Sequence, residues 1–114
     1  MPSSPPGNYI DASVDYAWDA IGRWYMTAGW TDYGGGSQVW RYDGEGQGQT
    51  NGQPNGTGWT RVLHIPAPEG YYNHGFAYAL HVGKIKLMCR SQDKRTIAGF
   101  DIPGATRFAR MAPM

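Results

Sequence analysis

At 114 residues the chain suits one domain, and a domain of that size buries a real core only if most of it takes part. Gly and Pro together reach 25 residues, and 14% of the chain is aromatic, so the composition describes a folded protein that carries long loops and packs large rings. The formal net charge of +1 excludes a global attraction to nucleic acid or anionic membrane.

The chain opens Met1-Pro2-Ser3-Ser4-Pro5-Pro6-Gly7. Proline at this density prefers extended conformations and cannot nucleate a helix, so residues 1–10 are expected as an arm, either flexible or laid along a partner. The opening has neither the basic residues nor the apolar run of a secretory signal, and no apolar stretch reaches membrane-spanning length, which points to folding in a cytoplasm. Residues 11–114 are expected as a single β-rich domain. Within it, Val14, Ala17, Trp18, Ile21, Trp24 and Tyr25 fall at the spacing of one helical face, with Asp11 or Ser13 as cap and Gly29 as stop, which predicts a short helix over 11–30. Gly22 in its middle and the aromatic run from Trp24 to Trp30 argue for a strand instead. Asp15 and Asp19 would share that helical face as two solvated like charges.

After a Gly34-Gly35-Gly36 turn, Gln38 to Asp43 alternates as a strand with Gln38, Trp40 and Tyr42 on one face. Residues 44–58 are Gly, Gln, Asn and Thr with one Glu and one Pro, leave nothing to bury, and are expected as a long surface loop. Trp59 to Pro66 alternates again, placing Trp59, Arg61, Leu63 and Ile65 together. Phe76 to Val82 and Ile85 to Cys89 read as a hairpin about Gly83-Lys84, with Ile85, Leu87 and Cys89 inward. Two further short strands, Thr96 to Ile102 and Ala105 to Met111, flank Pro103-Gly104, with Phe108 between Arg107 and Arg110 suggesting a half-buried edge. About six short strands without βαβ alternation predict an antiparallel β-sandwich or barrel.

The chemistry-bearing templates fail. There is no phosphate-cradling lysine loop, no nucleophile elbow and no paired-histidine zinc motif, and Glu45 and Glu69 are the only glutamates. His64, His74 and His81 have no ligand spacing, so neither a metal nor a cofactor is expected. Cys89, the only cysteine, shares parity with Ile85 and Leu87 and reads as a buried thiol. The rings near loops and strand ends, Trp40, Tyr42, Trp59, Tyr71 and Tyr72, are the residues suited to stack on a sugar if they are exposed, or to form core if they are not. Charge is unevenly spread. Residues 1–83 carry a net −4 and residues 84–114 a net +5, an asymmetry suited to head-to-tail subunit contacts or to docking on an anionic surface, or else simply solvated. Asn55-Gly56-Thr57 matches a glycosylation sequon.

The Pro-rich arm at 2–6, the polar loop at 44–58 and the strand opening Gly58-Trp59-Thr60-Arg61-Val62-Leu63 together resemble small virion proteins of tailed bacteriophages, namely capsid decoration subunits or the β-rich end domains of tail fibres. The resemblance implies a structural homo-oligomer, a trimer favoured, that assembles with other virion proteins and is located in the virion. Subunit contacts would then fall on Pro2, Pro5, Pro6, Tyr9, Arg107, Phe108 and Arg110. The chain lacks the His-x-His pair of metal-binding fibre tips. The alternative is a carbohydrate- or receptor-binding module that uses the exposed aromatics and the 44–58 loop.

Overall fold

The computed structural model describes residues 3–107. Pro2, Phe108 and Arg110, and most of the strand expected over 105–111, lie outside them. Nine antiparallel strands follow in chain order: β1 (Asp15–Trp18), β2 (Trp24–Trp30), β3 (Gly36–Tyr42), β4 (Gln49–Thr50), β5 (Gln53–Pro54), β6 (Trp59–Ile65), β7 (Tyr72–Ala79), β8 (Lys84–Arg90) and β9 (Ile97–Asp101). They form a four-stranded sheet in the order β1-β2-β3-β6, a three-stranded sheet in the order β7-β8-β9, and the small β4-β5 hairpin. The count exceeds the expected six because the hairpin at 11–30 and the loop at 44–58 both contribute strands.

The helix expected over 11–30 is absent. One short turn at Asp11–Ser13 leads into β1, and residues 19–22 reverse the chain into β2. Gly22 lies at φ 82°, a left-handed conformation that ends any helical run. The Asp19 carboxylate accepts the N–H groups of Ile21 and Arg23, which closes the turn. The apparent helical stripe is divided by strand alternation, with Ala17 and Tyr25 facing inward and Trp18, Ile21 and Trp24 facing out.

One core cluster lies between the two large sheets. Ala17, Tyr25 and Val39 meet Ile85, Leu87, Cys89 and Ile102, with Phe76 and Phe100 packed at its margins. The alternation of β8 holds as expected, and Cys89 is fully buried, so burial pushes its thiol up despite a hydrogen bond with Ser37. The hairpin turn falls earlier than expected. Ala79 pairs with Lys84, so Leu80 to Gly83 form a four-residue loop and Lys84 belongs to the strand. The β7 strand is irregular between Asn73 and Phe76, where Asp15 accepts the Phe76 N–H at 2.9 Å and Asn73 donates to Thr27 at 2.7 Å. These bonds fasten the three-stranded sheet to β1 and β2.

A second cluster occupies the opposite face of the four-stranded sheet and consists of Met26, Ala28, Trp30, Trp40 and Trp59. A register shift beside Val39 and Trp40 explains how β6 serves both clusters. Leu63 pairs with Val39, but Arg61 pairs with Trp40, so Val62 is an extra residue. The single alternating face expected for β6 is therefore split at this bulge, with Leu63 and Ile65 toward one cluster and Trp59 toward the other.

Candidate functional site

The outer face of the four-stranded sheet is half sealed and half open. Residues 3–10 seal one half by folding back on their own chain. Asn8 accepts the Thr31 N–H, Ile10 donates to Gly29, and Tyr9 bridges Trp30, so the arm continues the line of β1 beside β2. Indole N–H groups beneath it find partners in the arm: Trp30 Nε1 donates to the Pro6 carbonyl at 3.0 Å and Trp59 Nε1 to Ser3 Oγ at 3.1 Å. Pro5 is buried, and the Tyr9 ring lies 4.8 Å from Trp30, tilted at 46°. The 44–58 segment closes the side of the same cluster. It is built as a hairpin, with Asn51 and Gly52 at positive φ in its turn. Gly48 permits this close approach, because a Cβ there would clash at 2.5 Å with both Asn55 Oδ1 and the Trp59 carbonyl. The Asn55 amide donates to Thr50 and to the Trp59 carbonyl while its oxygen accepts from Thr57, so the sequon asparagine is occupied as an internal fastener.

The open half is the β1–β2 hairpin. Tyr16, Trp18 and Trp24 lie on the same side of the sheet as Met26, with Trp18 paired across the strands to Trp24. Their exposures are 42%, 54% and 40%, and Ile21 at the tip reaches 64%. The two indoles sit 5.2 Å apart at 53°, a tilted pair that holds both rings in place. The side chains that share this face along 14–26 carry no amide or carboxylate.

The hairpin is held rigid from beneath. Asp19, almost fully buried, accepts from the N–H of Arg23 at 3.0 Å, from its Nε at 2.9 Å, from the Tyr25 hydroxyl at 2.9 Å and from the Thr106 N–H at 3.2 Å. Burial alone would push this carboxyl up. The converging N–H groups of Arg23 and Thr106, with the Tyr25 hydroxyl and the Arg23 guanidinium, overcome it and hold the group below the usual carboxylate range. Burial and the neighbouring Asp19 charge push the Tyr25 phenol up. Arg23 also donates to the Gly104 carbonyl and to Thr106, so the segment after β9 is tied under the hairpin.

The five residues singled out for ligand stacking fall into two separate groups, Trp40, Tyr42 and Trp59 in the outer aromatic cluster and Tyr71 and Tyr72 on the other sheet. Trp40 and Trp59 have no exposed surface, and a ring enclosed on both faces offers no platform, so that assignment is corrected to core. Tyr42 is half-buried against Trp59 at 5.2 Å. Tyr71 and Tyr72 contact each other at the start of β7, on the other sheet, with Lys94 over the Tyr72 ring. Among the residues expected at subunit contacts, Pro5 is buried, Pro6 and Tyr9 contact this chain's own Trp30, and Arg107 is exposed. Asp15 and Asp19, expected as a solvated pair, serve separate internal networks. His64 contacts the Gly35 carbonyl, and no group of metal-ligating side chains occurs among the described residues. No helix among those residues is long and apolar enough to cross a membrane. The exposed Trp18 and Trp24 were hidden in the sequence by their helical spacing; their signal was Gly22, which makes the segment a hairpin.

In comparison with known proteins, the chain matches no protein-family model, no curated protein and no solved structure.

Proposed function

We propose that this chain is a non-enzymatic assembly subunit that acts through the aromatic face of its β1–β2 hairpin. One observation carries the reading: Tyr16, Trp18, Ile21 and Trp24 stand exposed together on a sheet whose remaining outer face is sealed by the arm. Grouped exposed aromatics mark contact surfaces, because they contribute large apolar area at small entropic cost. The anchoring of Asp19 supports the same reading, since a surface fixed before binding loses little freedom on association. A virion, which the sequence likeness implies, is one setting in which such a subunit would find its neighbours.

Stacking on a sugar ring is the competing use of the same indoles. The absence of amide and carboxylate side chains on this face along 14–26 favours a protein neighbour, because a sugar needs hydrogen-bonding groups beside the ring. Light scattering over a concentration series tests the choice. Under the assembly reading the wild-type mass rises above that of a monomer, and the double variant Trp18→Ala/Trp24→Ala remains monomeric with an unchanged far-UV spectrum. A wild type that is monomeric throughout, with indole emission that shifts on titration with oligosaccharides, overturns assembly in favour of glycan binding.

A further inference from the structure

Resting on the assembly reading, we infer that the aromatic hairpin docks on the outer face of β8 in a second copy of this chain, giving a head-to-tail contact. The observation is a pair of complementary faces on opposite sides of one molecule. On β8, Ile85, Leu87 and Cys89 point into the core, which turns Lys84, Lys86 and Met88 outward, while at the end of the same line the Arg90 Nε is buried without a hydrogen-bond partner. The β7 neighbours of the two lysines and the β9 neighbour of Met88 are small. Ala77 and Ala79 of β7 stand opposite Lys86 and Lys84, and Gly99 of β9 stands opposite Met88, where a Cβ would meet the Met88 sulfur at 3.1 Å. The result is a strip from which two lysine side chains rise beside small residues.

The strip is short of anions. Lys84 and Lys86 both approach the single Asp101 carboxylate, at 3.6 and 3.2 Å, leaving positive charge over. Residues 66–107 carry a net +3 and residues 3–65 a net −3, so the four-stranded sheet and its connections form the acidic part of the chain and the three-stranded sheet and its connections the basic part. Two copies meeting outer face to outer face in opposite sense bring sheets of unlike net charge together, while the aromatic face itself, which carries no carboxylate along 14–26, meets the lysines through its rings. At the contact, the ammonium groups of Lys84 and Lys86 meet the faces of Trp18, Trp24 and Tyr16, the arrangement in which an aromatic quadrupole attracts a cation. The alanines beside the lysines leave room for the rings.

The two faces are different and lie on opposite sides of the packed sheets, so the contact is heterologous. It repeats from copy to copy as a closed ring or an open stack, whereas a twofold dimer would bury one face only. Strand addition at β1 is disfavoured, because the Tyr16 N–H is already taken by Asp15 and Ala20 donates to Thr106.

Sedimentation velocity on four samples tests the assignment: wild type, Trp18→Ala/Trp24→Ala, Lys84→Glu/Lys86→Glu, and an equimolar mixture of the two variants. Each variant is expected to lose self-association by roughly tenfold or more. The mixture pairs one intact aromatic face with one intact basic face, so it is expected to form a 1:1 dimer that grows no further. If the charge reversal perturbs folding by thermal melt, Lys84→Gln/Lys86→Gln replaces it. A wild type that assembles while the lysine variant assembles equally well overturns this contact and leaves the assembly reading standing. So does a mixture of two folded variants that stays monomeric. A wild type that is monomeric at every concentration overturns both.

Discussion

Two kinds of tryptophan differ here only in what covers them, and the difference has a measurable size. Trp40 and Trp59 are enclosed, with their N–H groups bound to Gln38 and Ser3, so truncation removes a large buried ring and strands a polar partner. Trp40→Ala or Trp59→Ala is expected to cost about 3–5 kcal/mol in urea unfolding. Trp18→Ala, with much of its ring already in water, is expected to cost under about 1 kcal/mol. Comparable losses at Trp18 and Trp40 would contradict the assignment of the former to a contact surface. Asp19 sets a second test. Its folded carboxyl is held below its ordinary value, so it contributes stability above the unfolded pKa of about 3.9, and that contribution disappears as pH falls through the lower folded value. Asp19→Asn is therefore expected to lose about 2–3 kcal/mol at neutral pH, less than a fully buried pair because Arg23 is partly solvated. Its melting temperature should also change less than that of wild type as pH falls from neutral into the acid range. An unaltered acid slope would show that Asp19 is not the group being titrated.

How legible an element was in the sequence depended on whether its burial came from its own sheet or from distant chain. The β8 alternation was readable because solvent lies on one side and core on the other. β2 was not, since both of its faces are buried beyond Trp24, one by the second sheet and one by the arm, and no alternation survives. β6 misled for another reason. The bulge at Val62 reverses the facing of its residues, so a period-two pattern continued across it places Trp59 and Leu63 together when they lie apart. The polar loop at 44–58 had nothing apolar to announce its order, which comes from the Asn55 hydrogen bonds and from glycines at positive φ. The exposed hairpin face was legible only as a set of aromatic residues, since the register that gathers them is set by the turn at 19–22. The arm can be tested as an element. Deleting residues 1–9 uncovers Trp30 and Trp59 and removes two indole acceptors, so the melting temperature is expected to fall by several degrees, roughly 4–8 °C for each kcal/mol lost in a small domain. A truncated chain with wild-type stability would return the arm to the role of a grip on neighbours.

At the scale of the whole molecule, the four-stranded sheet is the shared wall of two clusters. β2 contributes Tyr25 to one side and Met26, Ala28 and Trp30 to the other, while β3 contributes Val39 and Trp40 to opposite sides. Neither cluster can therefore open without disturbing the strands that support the other. The three-stranded sheet lacks a second cluster of its own and depends on the wall, through Leu87 and through the Asn73–Thr27 and Phe76–Asp15 hydrogen bonds. This arrangement predicts a single cooperative transition. Leu87→Ala, which empties space only in the inter-sheet core, is expected to destabilise the protein by about 2–5 kcal/mol. It should shift tryptophan fluorescence as much as far-UV circular dichroism, although no tryptophan belongs to the cluster it alters. Coincident denaturation curves from the two probes, before and after the substitution, are the expected outcome. A fluorescence transition that stayed at its wild-type midpoint while the dichroism curve moved would show that the arm-covered aromatic layer unfolds as a separate unit, and the shared wall would then not couple the two faces.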